Sequence, residues 1–258
     1  MKLSIITICK NDPEGLKNTI KSVIKQNWND YEHIIIDGTD DDSTVQILEE
    51  YKNSLITRES DTGIYNAMNK GTLKASGKFL LYLNSGDELY ETNTLERVFE
   101  ILSNDIDIAF GDIELIKNNN IDQVKLPDQL DSTFFIRKSL PHPSTFIKRD
   151  LILNLGGYDE KYRIVADYAF FVKAFLLNNI KYKHIPIVVS KFKMDGVSSK
   201  AENLPKIKKE RDMAFFGQLP ELYSETIINY QSTELLRKSR WIKFAEKVRA
   251  KAMMLKGN

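Results

Sequence analysis

A single cysteine, Cys9, in 258 residues excludes an internal disulfide framework and fits a reducing compartment. No apolar run approaches the roughly 20 residues that a membrane-spanning helix needs. Leu3–Cys9 follows one lysine as the core of a signal peptide does, but it is short and runs into Lys10, Asn11 and Asp12, which reads as a first strand. Net charge is also lacking: 37 basic residues stand against 36 acidic ones, so nothing global points to nucleic acid. The three histidines are too scattered to form a ligand cluster. There is no Walker loop, no GxGxxG and no defensible Ser/His/Asp set. Repeats and low-complexity tracts are absent too. These exclusions leave a cytoplasmic protein of one large domain, or one domain with a small appendage.

The most informative stretch is Thr57–Leu89, TRESDTGIYNAMNKGTLKASGKFLLYLNSGDEL. Ile64, Ala67, Met68, Gly71 and Ala75 recur at helical spacing, and Ser76-Gly77 ends the helix. Phe79–Leu83 is an unbroken apolar run, short enough for a strand covered on both faces. It stops at Asn84-Ser85-Gly86-Asp87, where open α/β sheets bind ligands, and Gly86 lets backbone approach one.

Around this stretch the chain alternates. Strand Lys2–Thr7 leads to Asp12-Pro13, a capping acid and a first-turn proline opening a helix to about Gln26. Strand His33–Ile36 ends at Asp37-Gly38, and Asp42 or Ser43 caps a helix through Tyr51. Leu55–Thr57 is the third strand and Phe79–Leu83 the fourth. The expected architecture is α/β: a mostly parallel sheet with helices on both faces, and a crevice between the first and fourth strands. Strand Ile106–Phe110 is expected to close at Gly111-Asp112. A hairpin, Ile113–Ile116 with Ile121–Lys125, then breaks the alternation. Later elements are a strand at Ser144–Ile147, helices at Asp150–Leu155 and Tyr168–Leu177, and a strand at Ile185–Phe192. Residues 1–200 thus form the main domain, with 1–112 the nucleotide-type half and 113–200 the more variable half. Residues 201–258 read as a helical extension. From Leu235 onward it carries eight lysines and arginines against the single acid Glu246. Such a helix either lies peripherally on the anionic inner face of a membrane or packs on this domain or a twin subunit.

Each candidate residue carries a plain alternative. Asp37 ends a buried strand and can accept hydrogen bonds from a nucleoside, or can cap the next helix. Asp61 either caps the helix after Gly63 or lies beside an anion held by that helix start. Asp87 can hold a divalent cation through oxygen, with phosphates and waters completing the shell, or can belong to a simple turn. Asp167 caps the helix Tyr168–Leu177 or, if it faces the crevice, serves as general base. His142, between two prolines, lies outside the hydrophobic core and is a structural residue, a metal ligand or a substrate contact.

Taken together, SIITICKND, IIIDGTDDDST, SDTGIYNAMNKG, YLNSGD, HPSTF, ADYAFF and MDGVSSK make the chain resemble family-two glycosyltransferases of the GT-A fold over roughly residues 2–200. It looks most like the branch that extends O-antigen or capsule repeat units on a polyprenyl diphosphate carrier. The resemblance implies inverting transfer from a nucleotide-diphosphate sugar, a UDP-hexose by preference, to a polyprenyl-diphosphate-linked saccharide. It assigns Asp87 to Mn2+ or Mg2+ and Asp167 to deprotonation of the acceptor hydroxyl. Thr7 and Asp37 match nucleoside contacts and Asp61 a position near the base or ribose, while Asn84 and Ser85 join the donor site on the Asp87 loop.

Three positions depart from the family pattern. Ser85 replaces the first acid of DxD, Ala166 the first acid of ED, and Met68 an arginine, for which Lys70 is the nearest substitute cation. Two rival classes are a nucleotidyltransferase and a nucleotide-sugar-binding module without transfer. The former wants a basic glycine-rich loop after the first strand, and Cys9–Gly15 has one glycine and one lysine.

Overall fold

The computed structural model of the chain describes residues 1–51, 54–117, 120–194, 196 and 199–217. The basic tail from Leu235, the Asn118-Asn119 turn and most of the DGVSS segment lie outside them.

The first half is the expected alternation of β1 (Leu3–Cys9), α1 (Pro13–Ile24), β2 (Tyr31–Asp37), α2 (Val45–Glu50), β3 (Leu55–Arg58), α3 (Ile64–Lys74) and β4 (Phe79–Tyr82). β1 pairs in parallel with β2 and β4, and β2 with β3. The chain therefore moves outward from β1 and returns on its other side, which places the crevice between β1 and β4.

The second half comprises β5 (Glu88–Leu89), α4 (Thr94–Ile101), β6 (Ile108–Lys117), β7 (Asn120–Val124), α5 (Ser132–Arg137), β8 (Thr145–Lys148), α6 (Arg149–Asn154), α7 (Ala166–Leu177), β9 (Tyr182–Lys193) and α8 (Leu204–Phe216). The sheet continues from β4 through β8, β6 and β9 to β5, with β7 paired to β6. Here it is mixed rather than parallel, because β8 runs against both β4 and β6 and only β9 runs with β6.

Two local expectations change. β6 does not close at Gly111-Asp112 but runs through them. A Cβ on Gly111 would lie 2.4 Å from Val189 Cγ2 and 2.9 Å from the Ile187 carbonyl, so the glycine admits a close approach by β9 at a bulge. α2 begins at Val45, and its cap residue is neither Asp42 nor Ser43 but Thr44, whose hydroxyl donates to Asp37.

Side chains alternate across the sheet, so each strand feeds two layers. Ile6, Ile34, Ile36, Leu80 and Tyr82 pack toward α3 and α7, while Leu3, Ile5, Phe79 and Leu81 pack with Val98 of α4 on the other face. α3 approaches β1 closely at Gly71, whose missing Cβ would sit 2.4 Å from Ile6 Cγ2. Gly71→Ala is expected to destabilise the fold by about 1–3 kcal/mol, read as a lower urea midpoint at unchanged slope. No helix among the described residues is long and apolar enough to cross a membrane.

Candidate active site

The site is built on the loop after β4. Leu83 and Ser85 still donate to the carbonyls of Ile6 and Ile8, so the chain follows β1 to its end before turning. The turn closes through Asp87 N–H to the Asn84 carbonyl at 2.9 Å, with Gly86 at φ +92. That backbone conformation favours glycine. Buried Thr19 of α1 clamps the turn: its hydroxyl lies 2.7 Å from the Asp87 carbonyl and accepts from Gly86 N–H at 3.0 Å. Ser85 Oγ donates to Asp12 Oδ2 at 3.0 Å, while Asp12 Oδ1 caps α1 through Gly15 N–H. The Asp87 carboxylate accepts from Asn84 N–H and is nearly buried.

Across the cleft, His142 stands between the two acids singled out from the sequence. Its Nε2 is 3.6 Å from Asp87 Oδ2 and its Nδ1 is 3.6 Å from Asp167 Oδ2. Burial would lower the ring's pKa, but the carboxylates of Asp167 and Asp87 outweigh it and raise the ring to about 9. Burial likewise works against an ionised Asp167. His142, the Tyr65 hydroxyl and a backbone amide overcome it and hold the carboxyl below its ordinary value.

Tyr65 on α3 lies 2.8 Å from Asp167 Oδ1 and 2.7 Å from the Ile164 carbonyl, and its one proton serves one acceptor at a time. Asn84 Nδ2 lies 3.0 Å from His142 Nε2, and its Oδ1 is buried without a donor. A neutral ring accepts from that amide nitrogen; a doubly protonated ring requires the amide turned so that Oδ1 faces it.

Asp167 is not a helix cap. α7 begins at Ala166, and Asp167 sits in its first turn with its carboxylate on Tyr65 and beside His142. His142 is not isolated: its ring joins Asp87 of the first half of the chain to Asp167 of the second.

The other sequence-derived candidates are placed differently. Thr7 is wholly buried in β1, its hydroxyl 2.9 Å from His33 Nε2, and burial pushes that ring down to about 4. Its side chain is thus turned to β2 and His33. Asp37 is also wholly buried. It accepts from Thr39 N–H and Thr44 Oγ1 and pairs with Arg58 Nε at 3.3 Å, so it anchors Arg58 rather than presenting a free carboxylate. Asp61 accepts from Gly63 N–H at 2.9 Å, with Lys10 Nζ at 4.0 Å, and so sits at the start of α3 on the cleft side of β2. Lys70 is occupied by the Ser60 carbonyl at 2.7 Å and Glu59 at 3.4 Å. Arg163, unremarked in the sequence, instead reaches the α3 start by donating to the Thr62 carbonyl.

Among the described residues no group of three or more acids, histidines or cysteines could alone hold a metal ion. The β4 loop nevertheless suits Mg2+ or Mn2+ bound mainly by a diphosphate: Asp87 supplies one carboxylate oxygen donor, held in place by Asn84 N–H. Ser85 is turned to Asp12, so the missing first acid of DxD is not replaced by its hydroxyl.

Tyr65, Thr19 and Arg163 had no local signal. Tyr65 meets Asp167 across 102 residues, and a tyrosine in a helix otherwise reads as core.

A model of the family described as glycosyl transferase family 2 matches residues 4–194. The chain is 30% identical over 200 residues to the PGL/p-HBAD biosynthesis glycosyltransferase Rv2957 of Mycobacterium tuberculosis, covering 75% of this chain and 77% of that protein. It is 25% identical over 234 residues to the UDP-Glc:alpha-D-GlcNAc-diphosphoundecaprenol beta-1,3-glucosyltransferase WfgD of Escherichia coli, covering 88% and 91%. A solved structure of the mannosyltransferase PcManGT from Pyrobaculum calidifontis, in complex with GDP-Man and Mn2+, superposes with a TM-score of 0.60 at 12% identity, covering 98% of this chain and 80% of that one.

Proposed function

The chain belongs to glycosyl transferase family 2, and from that membership we propose that it transfers a hexose with inversion from a UDP-linked donor to a polyprenyl-diphosphate-linked saccharide. The observation that carries this reading is the His142 bridge, which sets Asp87 and Asp167 on opposite sides of one imidazole. WfgD supports the donor and acceptor classes by its name. Bacterial surface polysaccharide of the O-antigen or capsule kind is the product class that fits, made at the inner face of the membrane where such an acceptor lies.

In this mechanism the first half of the chain holds the donor and the second presents the acceptor and the base. Asp167, kept ionised by His142 and Tyr65, accepts the proton of the acceptor hydroxyl as its oxygen forms a bond to the anomeric carbon. The bond from that carbon to the diphosphate oxygen breaks on the opposite face, its electron pair leaves with UDP, and the configuration inverts. Asp87 would hold Mn2+ or Mg2+, and that ion when bound would neutralise the charge gathering on the diphosphate.

Purified protein given a panel of sugar nucleotides, Mn2+ or Mg2+ and a polyprenyl-diphosphate saccharide is expected to release UDP from a UDP-hexose, with chelator abolishing release. Nucleotide binding without turnover of any donor in the panel would establish the binding-only alternative.

A further inference from the structure

α8 lies beyond the family-matched residues, yet one of its side chains reaches the segment that carries Asp167. Glu210 is 8% exposed. Its Oε1 accepts from Arg163 N–H at 3.1 Å, and its Oε2 from Ile164 N–H at 2.9 Å and Val165 N–H at 3.3 Å. These three consecutive amides lead directly into α7, whose cap residue Val165 offers no side-chain acceptor. Of the three, only Val165 belongs to the helix start, whose amides lack intrahelical partners and favour an anion; here that anion comes from another helix, 45 residues on.

The braced segment reaches the reacting group through Tyr65. The Ile164 carbonyl is one of the two acceptors of Tyr65 Oη, and the other is the Asp167 carboxylate. The next residue of α8 secures the same helix from its side: the Arg211 guanidinium lies 4.1 Å from the Tyr168 ring and donates to the carbonyls of Phe135 and Lys138.

We propose that Glu210 is a positioning residue for transfer: its carboxylate fixes the 163–165 amides and thereby the orientation of Asp167 and Tyr65. This rests on the glycosyltransferase reading, with Asp167 as base. Glutamine at this position keeps one acceptor but turns an NH2 toward amides that themselves donate, whereas alanine leaves all three amides without the acceptor.

The test compares Glu210→Gln, Glu210→Ala and, as a control on the outward face of α8, Lys209→Ala. Because a misplacement near 1 Å costs about 100-fold, kcat is expected to fall about 10- to 100-fold in Glu210→Ala and less in Glu210→Gln, with donor KM within about twofold and Lys209→Ala unchanged. Independently of activity, hydrogen exchange at Arg163, Ile164 and Val165 is expected to speed up about tenfold or more in Glu210→Ala while strands β1 and β4 keep their protection. If the alanine variant fails to fold, Glu210→Gln carries the same comparison. Unchanged exchange at these amides, or a kcat within about twofold of the parent in a folded variant, overturns the proposal. Absence of turnover in the parent would instead fault the glycosyltransferase reading, and the exchange measurement would still decide whether Glu210 braces the segment.

Discussion

Asp167→Asn is expected to lower kcat by about 1,000-fold while leaving donor affinity within about twofold. Asparagine preserves volume and an oxygen for the Tyr65 hydroxyl, so the segment around 164–167 keeps its shape. What it lacks is a basic oxygen for the acceptor proton. The donor should be unaffected because its proposed contacts lie on the β4 loop and at the start of α3. Initial rates of UDP release with acceptor, beside calorimetric donor binding to the same variant, separate the two. Full transfer activity in Asp167→Asn would remove it as the base.

His142→Ala should produce the second largest loss, about 100-fold in kcat, because the group that orients Asp167 disappears. It also leaves two carboxylates facing one cleft without the ring that neutralises them. Asp167, now held only by Tyr65 and a backbone amide, rises from its depressed value, so the acid limb of the kcat profile moves to higher pH. In metal-stripped parent protein the same contact sets a stability window. The ring's pKa is raised from 6.5 to about 9 in the fold, so its contribution is fully present below about 6.5 and is lost as pH rises through about 9. A rise of that size corresponds to about 3 kcal/mol at most. Urea midpoints across this range should fall in the parent and stay flatter in His142→Ala. Parallel curves would show that His142 does not hold this charge.

Much of the donor half was legible in the sequence because its signals are local. Asp12-Pro13 caps α1 as read, and the unbroken Phe79–Tyr82 run is a strand buried on both faces, ending at the Asp87 turn. The convergence of Asp87 and Asp167 followed from the family resemblance, since neither spacing nor periodicity links residues in different halves of the chain.

What the sequence left open depends on direction and partner. Thr7 and Asp37 are near strand ends, but period-two alternation turns both toward the α1 and α2 layer, where His33, Thr44 and Arg58 occupy them. Gly111 carries the same letter as a strand-ending glycine, yet its role is set by β9, which arrives more than 70 residues later. Glu210 looks like an ordinary surface acid on a basic helix until the 163–165 amides are brought to it.

The central claim is that a sugar nucleotide lies in the cleft lined by Asp87 and Asp167, and a crystal structure with Mn2+ and UDP tests it most directly. The prediction is anomalous density for the ion at the Asp87 carboxylate, bridged to the diphosphate, with Asp167 facing the open side where the anomeric carbon would lie. Nucleotide bound elsewhere on the sheet edge, or an ion remote from Asp87, would contradict it.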